Sequence, residues 1–161
     1  SYFTDGFAYA GEAMTGKYVG ARVGHMLRQT VECTLIWSRG LAVIFMGIYH
    51  FAGVPMLKMT TSDMTVVTAA RDFLPWLLLM PVIGCAAFTW DGIYIGATAS
   101  KAIRNSMLWA VVAFFAVWAA GLAFPDLSAA GSMHILMGAY FAHLLARTVY
   151  LTVRYKALIH I

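Results

Sequence analysis

The chain has 161 residues, of which 61% are hydrophobic and only 11% charged, and its mean hydropathy is +0.76. A soluble domain needs far more polar surface, so this composition excludes a soluble fold and places the chain in lipid. The formal charge of +4 arises from the segments between apolar runs. With no soluble basic face to present it, nucleic-acid binding is not expected.

Apolar runs fall near 1–16, 40–57, 73–98, 107–125 and 131–153. All but the first reach or approach the roughly 20 residues that cross a ~30 Å hydrocarbon core. Their continuity favours helices over the alternating strands of a barrel. The expected fold is all-α, a polytopic membrane bundle of about five transmembrane helices. The first run is short for a span and opens on Ser1-Tyr2-Phe3 in place of an initiator methionine, so the chain is expected to be part of a longer protein.

Residues 17–39 read as a basic connector, with Val23, Met26 and Leu27 among Arg22, His25 and Arg28, expected to lie as a short amphipathic helix at the interface. Pro55 closes the second span. Thr60 to Asp63 then offer N-cap chemistry for a brief external helix reaching Arg71 and Asp72. In the third span, Pro81 removes a backbone donor and is expected to act as a hinge ten residues before Asp91. The fourth span, Met107 to Pro125, carries no charge and reads as a wall toward lipid, whereas the fifth contains His134 and His143.

Basic residues set the expected orientation. Lys17, Arg22, Arg28 and Arg39 follow the first run, Lys101 and Arg104 the third, and Arg147, Arg154 and Lys156 close the fifth. Lys58 and Arg71 fall on the opposite side, and the loop around Asp126 holds no Lys or Arg. By the positive-inside rule the richer side, and with it the C-terminus, is cytoplasmic. Cys33 and Cys85 read as small packing residues, not a disulfide.

The stretch AFTWDGIYIGATASK, residues 87–101, sets a carboxylate inside the third run. Asp91 precedes Lys101 by ten residues, about 15 Å of helix, which predicts a position at the bilayer midplane. An acid there costs about 2.5–3.5 kcal/mol on insertion scales and is by default a functional candidate, able to bind a cation or exchange a proton. Tyr94 and Thr98 follow on the same helical face, and Gly92, Gly96 and Ser100 form a small-residue ridge for close helix packing. In the first run Asp5, Tyr9 and Glu12 again share one face. The two faces are expected to line one cavity, with Asp91, Asp5 and Glu12 as cation or proton sites and Tyr9, Tyr94 and Thr98 as its lining. Negative charge, aromatic rings and methionines in such a cavity suit a cationic substrate. An internal echo, Asp5-Gly6 and Asp91-Gly92, points to two helices of one direction using one device.

Two rival classes accompany this reading. Paired histidines from His50, His134 and His143 would make a haem-binding electron carrier, and a packing subunit would perform no chemistry. No phosphate loop, metal-spaced Cys/His set or nucleophile elbow is present in the sequence, so no enzyme activity, metal or cofactor is expected.

The segments DGFAYAGEAMTGKYVGAR (5–22) and WDGIYIGATASKAIRNSM (90–107), with FLPWLLLMPVIG (73–84) between them, resemble the multidrug and toxic compound extrusion (MATE) transporters of the DinF-like branch over nearly the whole chain. The resemblance implies most of the C-terminal six-helix lobe of a twelve-helix bacterial inner-membrane antiporter. Relatives exchange cationic or amphipathic compounds for H⁺ or Na⁺ by rocking two lobes, so membrane lipid and a missing N-terminal lobe are the implied partners. Asp91 matches the acid of the tenth helix, and Asp5 and Glu12 match the eighth. Ala99 stands where the branch has arginine. A lipid or polysaccharide flippase of related architecture is the alternative within transport.

Overall fold

The computed structural model describes residues 2–61, 63–123 and 128–159. The described residues are helical but for short turns: α1 (Tyr2–Gly20), α2 (Gly24–Thr60), α3 (Met64–Arg71), α4 (Leu74–Gly96), α5 (Ser100–Leu122) and α6 (Ala129–Ile159). Four of them, α2, α4, α5 and α6, are long and apolar enough to cross a membrane. The first expected span, α1, has 19 residues but carries Asp5, Glu12 and Lys17, and by composition it does not qualify. The expected loop at Asp126 and the residue Ser1 lie outside the described residues.

The connector expected at 17–39 is not a separate interfacial helix. From Gly24 it belongs to α2, which runs unbroken for 37 residues and passes through Pro55, a length of about 55 Å. The reason is packing: Leu27, Val31, Thr34 and Ser38 are buried on one side while Arg28, Glu32 and Arg39 stay exposed. Recurrence at intervals of three and four gives α2 one buried stripe. The short helix after it forms as expected. Asp63 caps α3, its Oδ1 accepting from the Thr65 amide at 2.8 Å, and that contact holds the carboxyl below the usual carboxylate range.

Contacts fix the directions. Gly11 of α1 meets Thr34 of α2, Ser38 of α2 bonds Thr89 of α4 at 2.8 Å, and Gly53 meets Leu74, so α2 runs against both α1 and α4. Trp76 pairs with His134, and Tyr94 with Leu151; α6 therefore runs with α4. Gly121 of α5 lies on Ile135 of α6, an antiparallel pair.

The tightest contact in the bundle joins α1 to α4. A Cβ added at Gly92 would collide with the carbonyl of Ala8, and one at Gly96 with the carbonyl of Glu12. Only glycine lets two helix backbones approach this closely. The ridge ends there, because Ser100 belongs to α5.

α1 and α4 also stop in the same way. Arg22 and Thr98 both take φ of 55°. Around them Arg22 N bonds Val19 O and Val23 N bonds Tyr18 O, matched by Thr98 to Ile95 and Ala99 to Tyr94. This is the Schellman closure with a left-handed residue, here paid for without glycine at that position. The Asp-Gly echo is not used alike in the two helices, since Gly92 abuts the backbone of Ala8 while Gly6 meets open space; what α1 and α4 share is their C-terminal turn.

Gly92→Ala is expected to separate α1 from α4 and to cost about 1–3 kcal/mol or more, whereas Gly6→Ala and Gly20→Ala, which meet open space, should be near neutral. Thermal unfolding of the purified protein in detergent checks the contrast; equal melting of the three variants would exclude the backbone contact.

Candidate functional site

Asp91 is positioned by α4 alone, on the face opposite neither lipid nor α1 but α6. Its Oδ2 lies 2.7 Å from Nη2 of Arg147, with both side chains largely withdrawn from solvent at 13% and 11% exposure. One turn further along, the Tyr94 hydroxyl donates to the Leu151 carbonyl at 2.7 Å. Residues 91 and 94 on α4 thus meet 147 and 151 on α6, which is the i, i+3 and i, i+4 spacing of facing helical rows. The pair is incompletely satisfied: among the described residues, Asp91 Oδ1 and Arg147 Nε are buried without a hydrogen-bond partner. Burying two charges is repaid only when the remaining lone pairs and N–H groups are also used, so this pair retains unspent bonding capacity.

Arg147 was expected among the interfacial residues that close the last span. Instead α6 continues to Ile159, about 18 Å past it. The depth expected for Asp91 also changes. The ten-residue count to Lys101 assumed one straight helix, but α4 ends at Gly96 and Lys101 lies in α5. Asp91 is therefore only about 8 Å from the end of its own helix. It is nevertheless enclosed, because α1, α2 and α6 all project beyond that level. An apolar cluster including Leu27, Val31, Ile93, Tyr94 and Leu158 closes the bundle on that side.

The other expected site residues do not converge on Asp91. α1 packs on the Gly92 and Gly96 face, a different side of α4 from the one that meets Arg147. Tyr9 is 70% exposed, Asp5 and Glu12 are half-buried, and among the described residues neither acid has a salt bridge within 4.0 Å. Tyr94 is buried and its hydroxyl is committed to Leu151. Thr98 is exposed and lies in the turn past the end of α4. Among the described residues, Tyr9, Tyr94 and Thr98 are not brought together. The α4 helix continues through Pro81, which sits between Asp91 and the opening described next.

A cavity of about 590 Å³ does occur, at the other end of α4. Phe73, Trp76, Met80, Phe114, Met137 and Phe141 contribute to its wall. It holds the aromatic rings and methionines expected of a substrate chamber, but no charge. Its one indole N–H is already used, since Trp76 Nε1 donates to His134 Nδ1 at 2.8 Å. That bond, with the Phe73 ring tilted against the imidazole at 4.8 Å, gives His134 a structural role. His143 stacks on Tyr140 of its own helix at 6.5 Å, and His50 lies beside Phe51 on α2. The described residues contain no group of three His, Cys, Asp or Glu able to hold a metal ion.

The MatE family model matches residues 1–119. The chain belongs to the MatE family. It is 36% identical over 114 residues to DNA damage-inducible protein F of Escherichia coli (strain K12), a stretch covering 71% of this chain and 25% of that protein. The chain thus spans about a quarter of the length of this relative. No solved structure matches it significantly. The MatE match takes in α1, α4, the glycine contact and Asp91, and it stops within α5, short of the near-complete coverage that the motifs implied. Arg147 lies beyond it. No sequence motif marked this residue; the available signal was an arginine inside an apolar run, four residues after His143.

Removing one member of the Asp91 and Arg147 pair leaves the other charge buried, which typically costs about 3–5 kcal/mol, whereas removing both costs less. Asp91→Asn, Arg147→Gln and the double variant therefore form a cycle with a readable coupling. Thermal melts in detergent should show the double variant more stable than Arg147→Gln alone; strictly additive losses would show that the two side chains do not interact.

Proposed function

We propose that this chain forms most of the C-terminal lobe of a MATE-type secondary exporter in the bacterial inner membrane, with its C-terminus in the cytoplasm. Paired with an N-terminal lobe, it exchanges cationic or amphipathic compounds for H⁺ or Na⁺ by alternating access, and it carries out no enzymatic step. The observation that supports this most directly is Asp91. Its carboxylate is inside the bundle, its Oδ1 is unpartnered, and ionisable residues in membrane helices mark ion or substrate pathways by default.

The functional labour divides along α4. Asp91 serves as the coupling group at one end, and the uncharged cavity receives the apolar part of a substrate at the other. Pro81 lies between them as the hinge. Asp5 and Glu12 are assigned to the surface that meets the opposite lobe, where they attract cations without touching Asp91. The uncharged, predominantly apolar lining of the cavity also favours a second reading, a flippase for lipid-linked precursors, which a precursor-flipping assay in vesicles distinguishes from dye export.

In the full-length transporter carrying this lobe, Asp91→Asn is expected to reduce cation-gradient-driven dye efflux, normalised to the amount of folded protein in the membrane, to background. Efflux at the wild-type rate would remove Asp91 from coupling.

A further inference from the structure

Resting on Asp91 as the coupling group, we propose that Arg147 is a built-in competitor for the coupling cation: the ion or proton that binds Asp91 does so by displacing a resident guanidinium. Arg147 Nη2 sits 2.7 Å from Asp91 Oδ2, the place that an incoming cation must occupy to share that oxygen. The carboxylate has one oxygen engaged and one, Oδ1, free, so a cation can begin to bind before the arginine has left. Arg147 in turn has a buried Nε without a partner and does not use the bidentate fork that makes arginine and carboxylate pairs tight. A half-made pair is easier to exchange than a complete one.

The neighbours leave Arg147 as the group that matters. Tyr94, next on the Asp91 face, is tied to Leu151. From α2, the groups at this level are the neutral Ser38, bonded to Thr89, and the exposed Arg39. α1 meets α4 through glycine, with Glu12 half-buried on that separate side. Lys101 and Arg104 of α5 are exposed. On α6, His143 is stacked on Tyr140 and Arg154 lies over Tyr150. Among the described residues, Arg147 is the one cation within 4.0 Å of Asp91.

Displacement has a mechanical consequence. Besides the ion pair, α4 and α6 are tied by the Tyr94 to Leu151 bond and, at the far end, by Trp76 to His134. Freeing Arg147 removes the charged tie between them, so occupancy of Asp91 is communicated to α6. Two sites that bias one contact are coupled by the difference in that contact's free energy.

The test uses the full-length transporter in proteoliposomes. Arg147→Gln is expected to lower the half-saturating concentration of the driving cation by about fivefold or more, the lower end of ordinary coupling, while Arg147→Lys stays near wild type. An unchanged half-saturation in a folded Arg147→Gln protein would overturn the competition. Should that variant fail to fold, labelling of Arg147 by butanedione decides, run at one fixed, mildly alkaline pH and read by mass spectrometry of its peptide. It should quicken in the wild-type protein when saturating Na⁺ replaces choline, and in Asp91→Asn, which mimics the protonated acid, at that same pH. Labelling unchanged by both Na⁺ and Asp91→Asn would sink the inference. If Asp91→Asn transports normally, the coupling reading itself has failed; if Asp91→Asn is inactive and these two measurements are flat, only the role of Arg147 has.

Discussion

A carboxylate withdrawn from water needs a positive charge beside it, and the arrangement of α4 and α6 follows from that requirement. Asp91 finds its partner in Arg147, and this pairing fixes which face of α4 turns toward α6. The second turn of contact, Tyr94 to Leu151, repeats the register, and Trp76 to His134 extends it to the opposite end. Three polar ties along one interface set the rotation and the axial position of two long helices. Ring contacts of Trp76 with Phe141 and of Trp90 with Tyr155 pack alongside these ties.

The opposite side of α4 is organised by absence instead of charge. Gly92 and Gly96 present no side chain, so the backbone of α1 rests on them. Neighbouring Thr89 meets Ser38 of α2. α4 is consequently the hub of the bundle, with glycine toward α1, hydroxyl toward α2 and charge toward α6. Each neighbour is recognised by a different chemistry, and none of these contacts can substitute for another. The membrane makes that sorting necessary, because lipid tails and leucine side chains are equally apolar and supply no hydrophobic preference for one helix face.

Much of this was legible in the residues. Hydropathy located four helices of spanning length, Asp63 announced the start of α3, and the DG and GAT motifs carried the family. Gly92 and Gly96 stood out as a packing ridge. The errors share a physical origin, which is that a one-dimensional count cannot see where a helix stops or what stands opposite. Nothing in GATASK distinguishes a continuing helix from one that closes through a left-handed Thr98, so the count from Asp91 to Lys101 runs across a turn that the sequence does not announce. Arg147 reads as interfacial because basic residues near the end of an apolar run usually belong there, and its partner Asp91 is distant in sequence. The stripe of Leu27, Val31 and Ser38 that draws α2 into the bundle was hidden by the arginines around it. The cavity at Phe73 and Phe141 is assembled from helices distant in sequence, and only packing reveals it.

Stability alone gives little reason to keep a half-satisfied ion pair in such a place. Well-packed apolar residues of similar volume often match or exceed the contribution of a buried salt bridge, because they escape its desolvation cost. Here the cost is raised further by Oδ1 and Nε, which are buried and unpartnered. A purely structural site would be expected to spend those groups on neighbouring helices, as Ser38 and Thr89 do. A site that must release one partner and accept another is better served by leaving them unspent, since each hydrogen bond added to the resting pair would have to be broken on exchange. Among the described residues the Asp91 and Arg147 contact is incomplete, and a coupling role would account for that incompleteness.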